Sequence, residues 1–132
     1  LTRGISYMEN YFSLSLQAAF SPHHLFLVAL GTLVGILVGA MPGLSVVMGL
    51  TLILPFTFSI DASGGIFMLL GSFCGAIYGG SITAILINTP GTANSAATCL
   101  DGYPMATKLG QAGRALSIST LASTFGGVFS SV

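Results

Sequence analysis

Charge is scarce in this sequence of 132 residues, which holds three Lys or Arg and three Asp or Glu and has a net charge of zero. A soluble domain carries charge on about a quarter of its residues, against 5% here, so an ordinary water-facing domain is excluded. Arg3, Lys108 and Arg114 are too few to neutralise a run of phosphates, which excludes nucleic-acid binding through a basic face. Cysteine is nearly absent as well. Cys74 and Cys99 stand alone among apolar or small residues, without metal-ligand spacing, and read as small hydrophobes rather than a disulfide, redox pair or metal site. Disorder is excluded from the opposite side, because 53% of the residues are hydrophobic and disordered chains are poor in them. With a mean hydropathy of +0.94, the solvent this sequence suits is lipid.

The few charges leave long gaps. No acidic or basic residue occurs over positions 25–60 or 62–100, and a third uncharged run follows Arg114 to Val132. A helix crosses a hydrocarbon core of about 30 Å with about 20 residues, so each of the first two runs is nearly twice too long for one crossing. Uncharged breakers must divide them. In the first, Gly39-Ala40-Met41-Pro42-Gly43 interrupts an apolar stretch from Leu25 to Met41, and a shorter stretch from Ser45 to Phe58 follows. Pro42 lacks a backbone donor and Gly43 takes left-handed angles, so unwinding is expected there; a simple interfacial turn between two spans is the alternative. In the second run, a helix from Ala62 to Ile87 meets Ile87-Asn88-Thr89-Pro90-Gly91-Thr92-Ala93-Asn94-Ser95. Irregular polar backbone at membrane depth is tolerated only where it is buried in protein or lines a water-filled cavity, and uncompensated polar side chains in lipid are costly.

Glycine points to several packed helices. Gly31, Gly35 and Gly39 recur at four-residue spacing, as do Gly71, Gly75 and Gly79. Residues four apart share a helical face, so each set forms a groove for close packing of another helix. The Pro-Gly pairs sit at different offsets from the two sets, so no internal repeat is assigned. Val38-Gly39-Ala40 resembles a signal-peptidase site, but no cationic region abuts Leu25 and cleavage is not expected. Residues 101–114 hold two of the three basic residues and read as a loop on the cytoplasmic side, with 115–132 as the start of a further, truncated span. His23 and His24 beside Pro22, and Asp61 between the apolar runs, read as interface or capping residues. Asp61 has a cation or proton site as its functional alternative.

The residues resemble a known family. Gly31 to Phe58 and Gly75 to Ala106 look like signature regions of the large membrane subunit of tripartite tricarboxylate transporters, the TctA-like permeases. The likeness rests on a Pro-Gly break after a glycine-spaced helix, a Leu-Pro-Phe-Thr close, a Tyr-Gly-Gly-Ser step, an Asn-Thr-Pro-Gly break and an Asp-Gly-Tyr-Pro loop, in that order. It covers Met8 to Val132, and family members are longer with many more spans, so an N-terminal fragment is expected. The resemblance also implies that residues 1–7 lie upstream of the true start at Met8. The expected fold is an all-α, polytopic integral membrane protein with Pro-Gly-broken, discontinuous or re-entrant segments: an N-terminal segment over 1–24, then 25–58 broken at 42–43, and 62–100 broken at 88–95.

The resemblance implies the permease subunit of an ion-driven secondary transporter, multi-pass in a bacterial inner membrane. It would import tricarboxylates or related carboxylates delivered by a periplasmic solute-binding protein and work beside a small membrane subunit, with no enzyme activity and no cofactor beyond a coupling Na+ or H+. Discontinuous helices suit that task, because a half-helix N-terminus attracts a carboxylate. Pro42, Gly43 and Ser45 at the first break, and Gly80, Ser81, Asn88, Thr89, Pro90, Gly91, Thr92 and Asn94 around the second, are the candidates to hold substrate or ion. Ser45 is placed to cap the following half-helix or donate to an anion. Asn88, Thr89, Thr92 and Asn94 can offer oxygens to a cation or donors to a carboxylate, while no metal ligand set is assigned. Two alternatives differ in class. One is a structural or assembly subunit whose breaks are mere turns; the other, far weaker, is an intramembrane hydrolase using Ser81 with His23 or His24 as base.

Overall fold

Local chemistry sets most helix ends in the computed structural model, which describes residues 1–132 and contains helices but no strands. Helix α1 covers Thr2–Ala19, and Pro22 in the first turn starts α2, Pro22–Gly39, a position where its missing N–H goes unneeded. The chain then turns through residues 40–45, with Gly43 at φ +92°, a conformation that glycine adopts without cost. Ser45 accepts the Met48 N–H at 3.3 Å and caps α3, Val46–Thr57. Asp61 accepts the Gly64 N–H at 3.1 Å and caps α4, Ala62–Ile87, which ends on Asn88 in the left-handed region at φ 56°. A short 3-10 turn over Ala93–Ser95 leads into α5, Ala96–Lys108, and α6 covers Ala112–Ser131.

Because these caps act locally, their removal has modest effects. Ser45→Ala is expected to cost about 0.5–1 kcal/mol, the lower part of the range for lost caps, since its bond is long and exposed. The measurement is the thermal unfolding midpoint of the purified full-length protein. A shift as large as that of a core cavity would mean Ser45 holds more than this turn.

Helices α2 and α4 form the centre of the fold, and they run parallel. A methyl group on Gly31, Gly35 or Gly39 would collide with the backbone carbonyl of Met68, Ser72 or Ala76, respectively. Methyls on Gly71, Gly75 and Gly79 would collide in turn with the carbonyls of Val28, Thr32 and Ile36. Partner numbers rise together on both helices, which is possible only if they point the same way. The two backbones therefore touch along about three turns, with glycine Cα–H groups against carbonyl oxygens, a contact of about 0.5–1 kcal/mol each. Helix α3 provides the return path. It lies antiparallel to both neighbours, Gly49 against Val38 and Gly65 against Thr57.

The two long helices differ in reach. At about 1.5 Å per residue, α2 with 18 residues extends about 27 Å and α4 with 26 about 39 Å. Their N-termini lie level, His24 beside Asp61 and Phe67, so α4 continues about two turns past the end of α2. Helix α6 runs back along α4 and α5, placing Thr120 Oγ1 3.2 Å from the Tyr78 hydroxyl.

Both α2 and α4 are long and apolar enough to cross a membrane. The outward residues of these helices and of α3 support that setting: Leu33, Leu37, Leu52, Phe56, Ile66 and Leu70 are all exposed, an apolar surface larger than water tolerates. The structure corrects the expected loop over 101–114, because α5 continues to Lys108 and only residues 109–111 lie between helices. The Asp-Gly-Tyr-Pro sequence is turn-like, but tertiary contact decides otherwise. Gly102 is helical and buried against Ile85, whose Cγ1 would lie 2.6 Å from a Cβ there. Pro104 removes only the bond to the carbonyl of Leu100, an exposed residue.

Candidate functional site

The space above the end of α2 is filled by the segment after α4. Beyond Asn88 the chain doubles back, and Pro90-Gly91-Thr92 descends beside α4 to the level of Gly80. A Cβ on Gly80 would lie 2.9–3.1 Å from the side chain and backbone nitrogen of Thr92. A Cβ on Gly91 would collide with the Gly39 carbonyl and lie 2.8 Å from Gly80 Cα and 3.0 Å from Thr83 Oγ1. Two irregular tips thus meet: the end of α2 with its following turn, and the apex of residues 88–95. Three glycines, at 39, 80 and 91, make the approach possible.

The apex is stitched internally by Ser95. Its hydroxyl accepts the Thr92 N–H at 3.1 Å and donates to the Thr92 carbonyl at 2.8 Å, and the Ser95 N–H reaches the same carbonyl at 3.1 Å. Thr92 and Ser95 occupy the reciprocal positions of a capping box, yet the Thr92 hydroxyl itself is left without an aligned partner. Thr92 is only 8% exposed. Its neighbour Thr83, also buried, spends its hydroxyl on the Gly80 carbonyl at 3.1 Å. A buried hydroxyl without a partner is unfavourable by about 1–3 kcal/mol, and most such groups in folded proteins are satisfied.

The helix ends give the site two signs. Gly39 is the last residue of α2, where unpaired carbonyls carry a partial negative charge. Residues 92–96 open the 3-10 turn and α5; the N–H groups of Thr92, Ser95 and Ala96 are bonded within the turn, which leaves those of Ala93 and Asn94 to carry the partial positive charge of this end. These ends adjoin at Gly39 and Gly91. No Lys or Arg lies between Arg3 and Lys108, so an anion here would meet backbone dipoles, hydroxyls and co-bound cations.

Of the residues singled out in the sequence, the structure brings Gly80, Gly91 and Thr92 into one buried cluster. Asn88, Pro90 and Asn94 are exposed on the same segment, Thr89 is half-buried with its hydroxyl 3.4 Å from the Ile87 carbonyl, and Ser81 is half-buried on α4. Pro42, Gly43 and Ser45 are exposed on the turn after α2, with Ser45 engaged in its cap. Sequence reasoning missed Thr83 and the part Gly39 plays beyond packing along α4. The available signal for Thr83 was its position one turn after Gly80 on the same face. The hydrolase alternative fails on geometry: the His24 ring lies beside that of Phe67, tilted 41° to it, and Ser81 lies 14 residues further along α4, about 20 Å away.

A family model described as the tripartite tricarboxylate transporter TctA family matches residues 25–132. An uncharacterized 52.8 kDa protein in the TAR-I ttuC' 3' region of Agrobacterium vitis is 44% identical over 115 residues, which is 87% of this chain and 23% of that protein. The chain thus spans about a quarter of the length of the curated relative it matches. No solved structure matches it.

Proposed function

We propose, from the premise that this chain belongs to the tripartite tricarboxylate transporter TctA family, that it forms part of the large permease subunit and contributes one wall of the substrate path. The transporter imports a tricarboxylate or related carboxylate across a bacterial inner membrane. A periplasmic solute-binding protein delivers the carboxylate, a small membrane subunit stands alongside, and a Na+ or H+ gradient drives the import. In this reading, α2 and α3 enter and leave on the side marked by His24 and Asp61. The apex of residues 88–95 enters from the opposite side, and both segments are broken within the membrane at the level of Gly80.

The observation that carries this reading is the buried, unpaired Thr92 hydroxyl at the meeting of two oppositely charged helix ends. The dipole of α5 favours a carboxylate, and the carbonyl end of α2 favours a cation. Together they explain how a sequence without membrane-depth cations can handle an anion: the coupling cation and the carboxylate neutralise each other. Thr92 also stands at the cap position of the 3-10 turn, and a structural apex would use its hydroxyl only there.

Thr92→Val separates the two cases, since it keeps the shape and removes only the oxygen. In the full-length permease, uptake is expected to fall at least about tenfold, the effect of roughly 1.4 kcal/mol, with membrane insertion and thermal stability kept or improved. Unchanged uptake with raised stability would leave the apex as a packing element and remove it from the substrate path.

A further inference from the structure

A second polar constellation lies at the opposite end of the α2–α4 pair, level with their shared N-termini. His24 Nδ1 is 2.6 Å from the Ala18 carbonyl and 2.6 Å from Ser21 Oγ. Ser21 Oγ itself donates to the Ala18 carbonyl at 2.9 Å. A carbonyl only accepts, so Nδ1 must carry the hydrogen, and Ser21 Oγ is left to accept from it. The neutral ring then has a bare Nε2. That atom is buried without a hydrogen-bond partner and faces Asp61 Oδ2 at 3.7 Å, a lone pair set against a carboxylate.

Asp61 is held in place as an anion. The Gly64 N–H bonded to it holds its carboxyl below the ordinary 3.8, against the opposing effect of desolvation. The other groups around His24 are few. On its own helix, His23 is mostly exposed, with its Nε2 3.9 Å from Asp61 Oδ1. From α4, Phe67 lies with its ring centroid 5.1 Å from that of His24. Helix α1 presents the Ala18 carbonyl, while its charged residues Arg3 and Glu9 sit two to four turns away from that end. Helix α3 carries no titratable side chain.

We propose that His24 and Asp61 form a proton-binding site that ties the α1–α2 junction to the start of α4, remote from the apex. A proton taken from solvent onto Nε2 converts the opposed lone pair into an N–H donor toward Asp61, which stays ionised. The imidazolium then holds Ala18 and Ser21 through Nδ1–H, Asp61 through Nε2–H, and the face of Phe67 by cation–π attraction. The doubly protonated ring therefore ties the junction more tightly than the neutral one. The inference is independent of the role given to Thr92.

The test is nitrogen-15 histidine NMR on the full-length permease in lipid nanodiscs between pH 8 and pH 5, with His24→Gln used only to assign the signal. At pH 8, His24 is expected to show a protonated Nδ1 and a bare Nε2, and at lower pH Nε2 gains its proton. Asp61→Asn is expected to reduce the fraction of doubly protonated His24 at pH 6, and His23→Gln to leave it nearly unchanged. A protonated Nε2 at pH 8 overturns the proposal in the unmodified protein, whether or not any variant folds. So does an Asp61→Asn variant that titrates as the wild type.

Discussion

A valine at Gly35 in the full-length permease is expected to cut recovery of folded protein sharply and lower its thermal midpoint. The substituted Cβ would fall 2.9 Å from both the carbonyl carbon and Cα of Ser72, and closer still to the carbonyl oxygen. All three are backbone atoms in the middle of α4, where no rotamer change can relieve the clash. Restoring ordinary contact requires the helices to separate by about 1 Å, and overpacking of this kind costs about 1–3 kcal/mol or more. The damage does not stop there, because separation at Gly35 also withdraws the contacts at Gly31, Gly39, Gly71, Gly75 and Gly79. The total reaches at least about 3 kcal/mol against a folding free energy of about 5–15 kcal/mol. Detergent-solubilised yield and thermal midpoint are the readouts. The control is Gly113→Ala, where a Cβ meets nothing within 4 Å; its yield should match the wild type. Wild-type yield and midpoint in Gly35→Val would mean that α2 and α4 do not touch in this register.

The register shows where sequence reading reaches its limit. A glycine every four residues identifies a smooth face, but says nothing about what lies against it. Gly31, Gly35 and Gly39 would serve equally for an antiparallel neighbour or for a helix from another subunit. What settles the parallel pairing is the length of α3, 12 residues, which returns the chain to the level of His24 before α4 begins. Chemistry carried by single residues was easier to read. Gly43 adopts the left-handed angle expected of it, and Ser45 and Asp61 cap the helices that follow them.

The meeting of Gly39 with Gly91 was not legible, for a physical reason. It depends on α2 stopping about two turns short of α4, a difference in length that matters only after the two helices align. The helical course of Asp101 to Lys108 was hidden in the same way. Its turn-forming residues are overruled by the fit of Gly102 to Ile85, a contact between residues 17 positions apart in sequence.

Gly91→Val is expected to reduce uptake by about 100-fold, the loss that accompanies displacement of a binding group by about 1 Å, while leaving membrane insertion intact. Its Cβ would lie 2.8 Å from Gly80 Cα and 3.0 Å from Thr83 Oγ1 and would collide with the Gly39 carbonyl. The apex must therefore lift away from both helices, moving Thr92 out of its buried position and separating the negative end of α2 from the positive start of α5. Of the six glycines in the α2–α4 interface only Gly39, at its end, is touched, through its carbonyl, so the rest of that interface stays in place. Gly91 has no left-handed φ, so backbone strain adds nothing and the effect is one of bulk. That makes it adjustable. Gly91→Ala should retain more uptake than Gly91→Val, and adding Thr83→Ala should recover part of the loss by vacating one of the three obstructing positions. Because Thr83→Ala also frees the Gly80 carbonyl it occupied, its effect alone must be measured beside the pair. A Gly91→Val permease that transports normally, or one that no longer inserts, would each deny the apex its place beside the substrate.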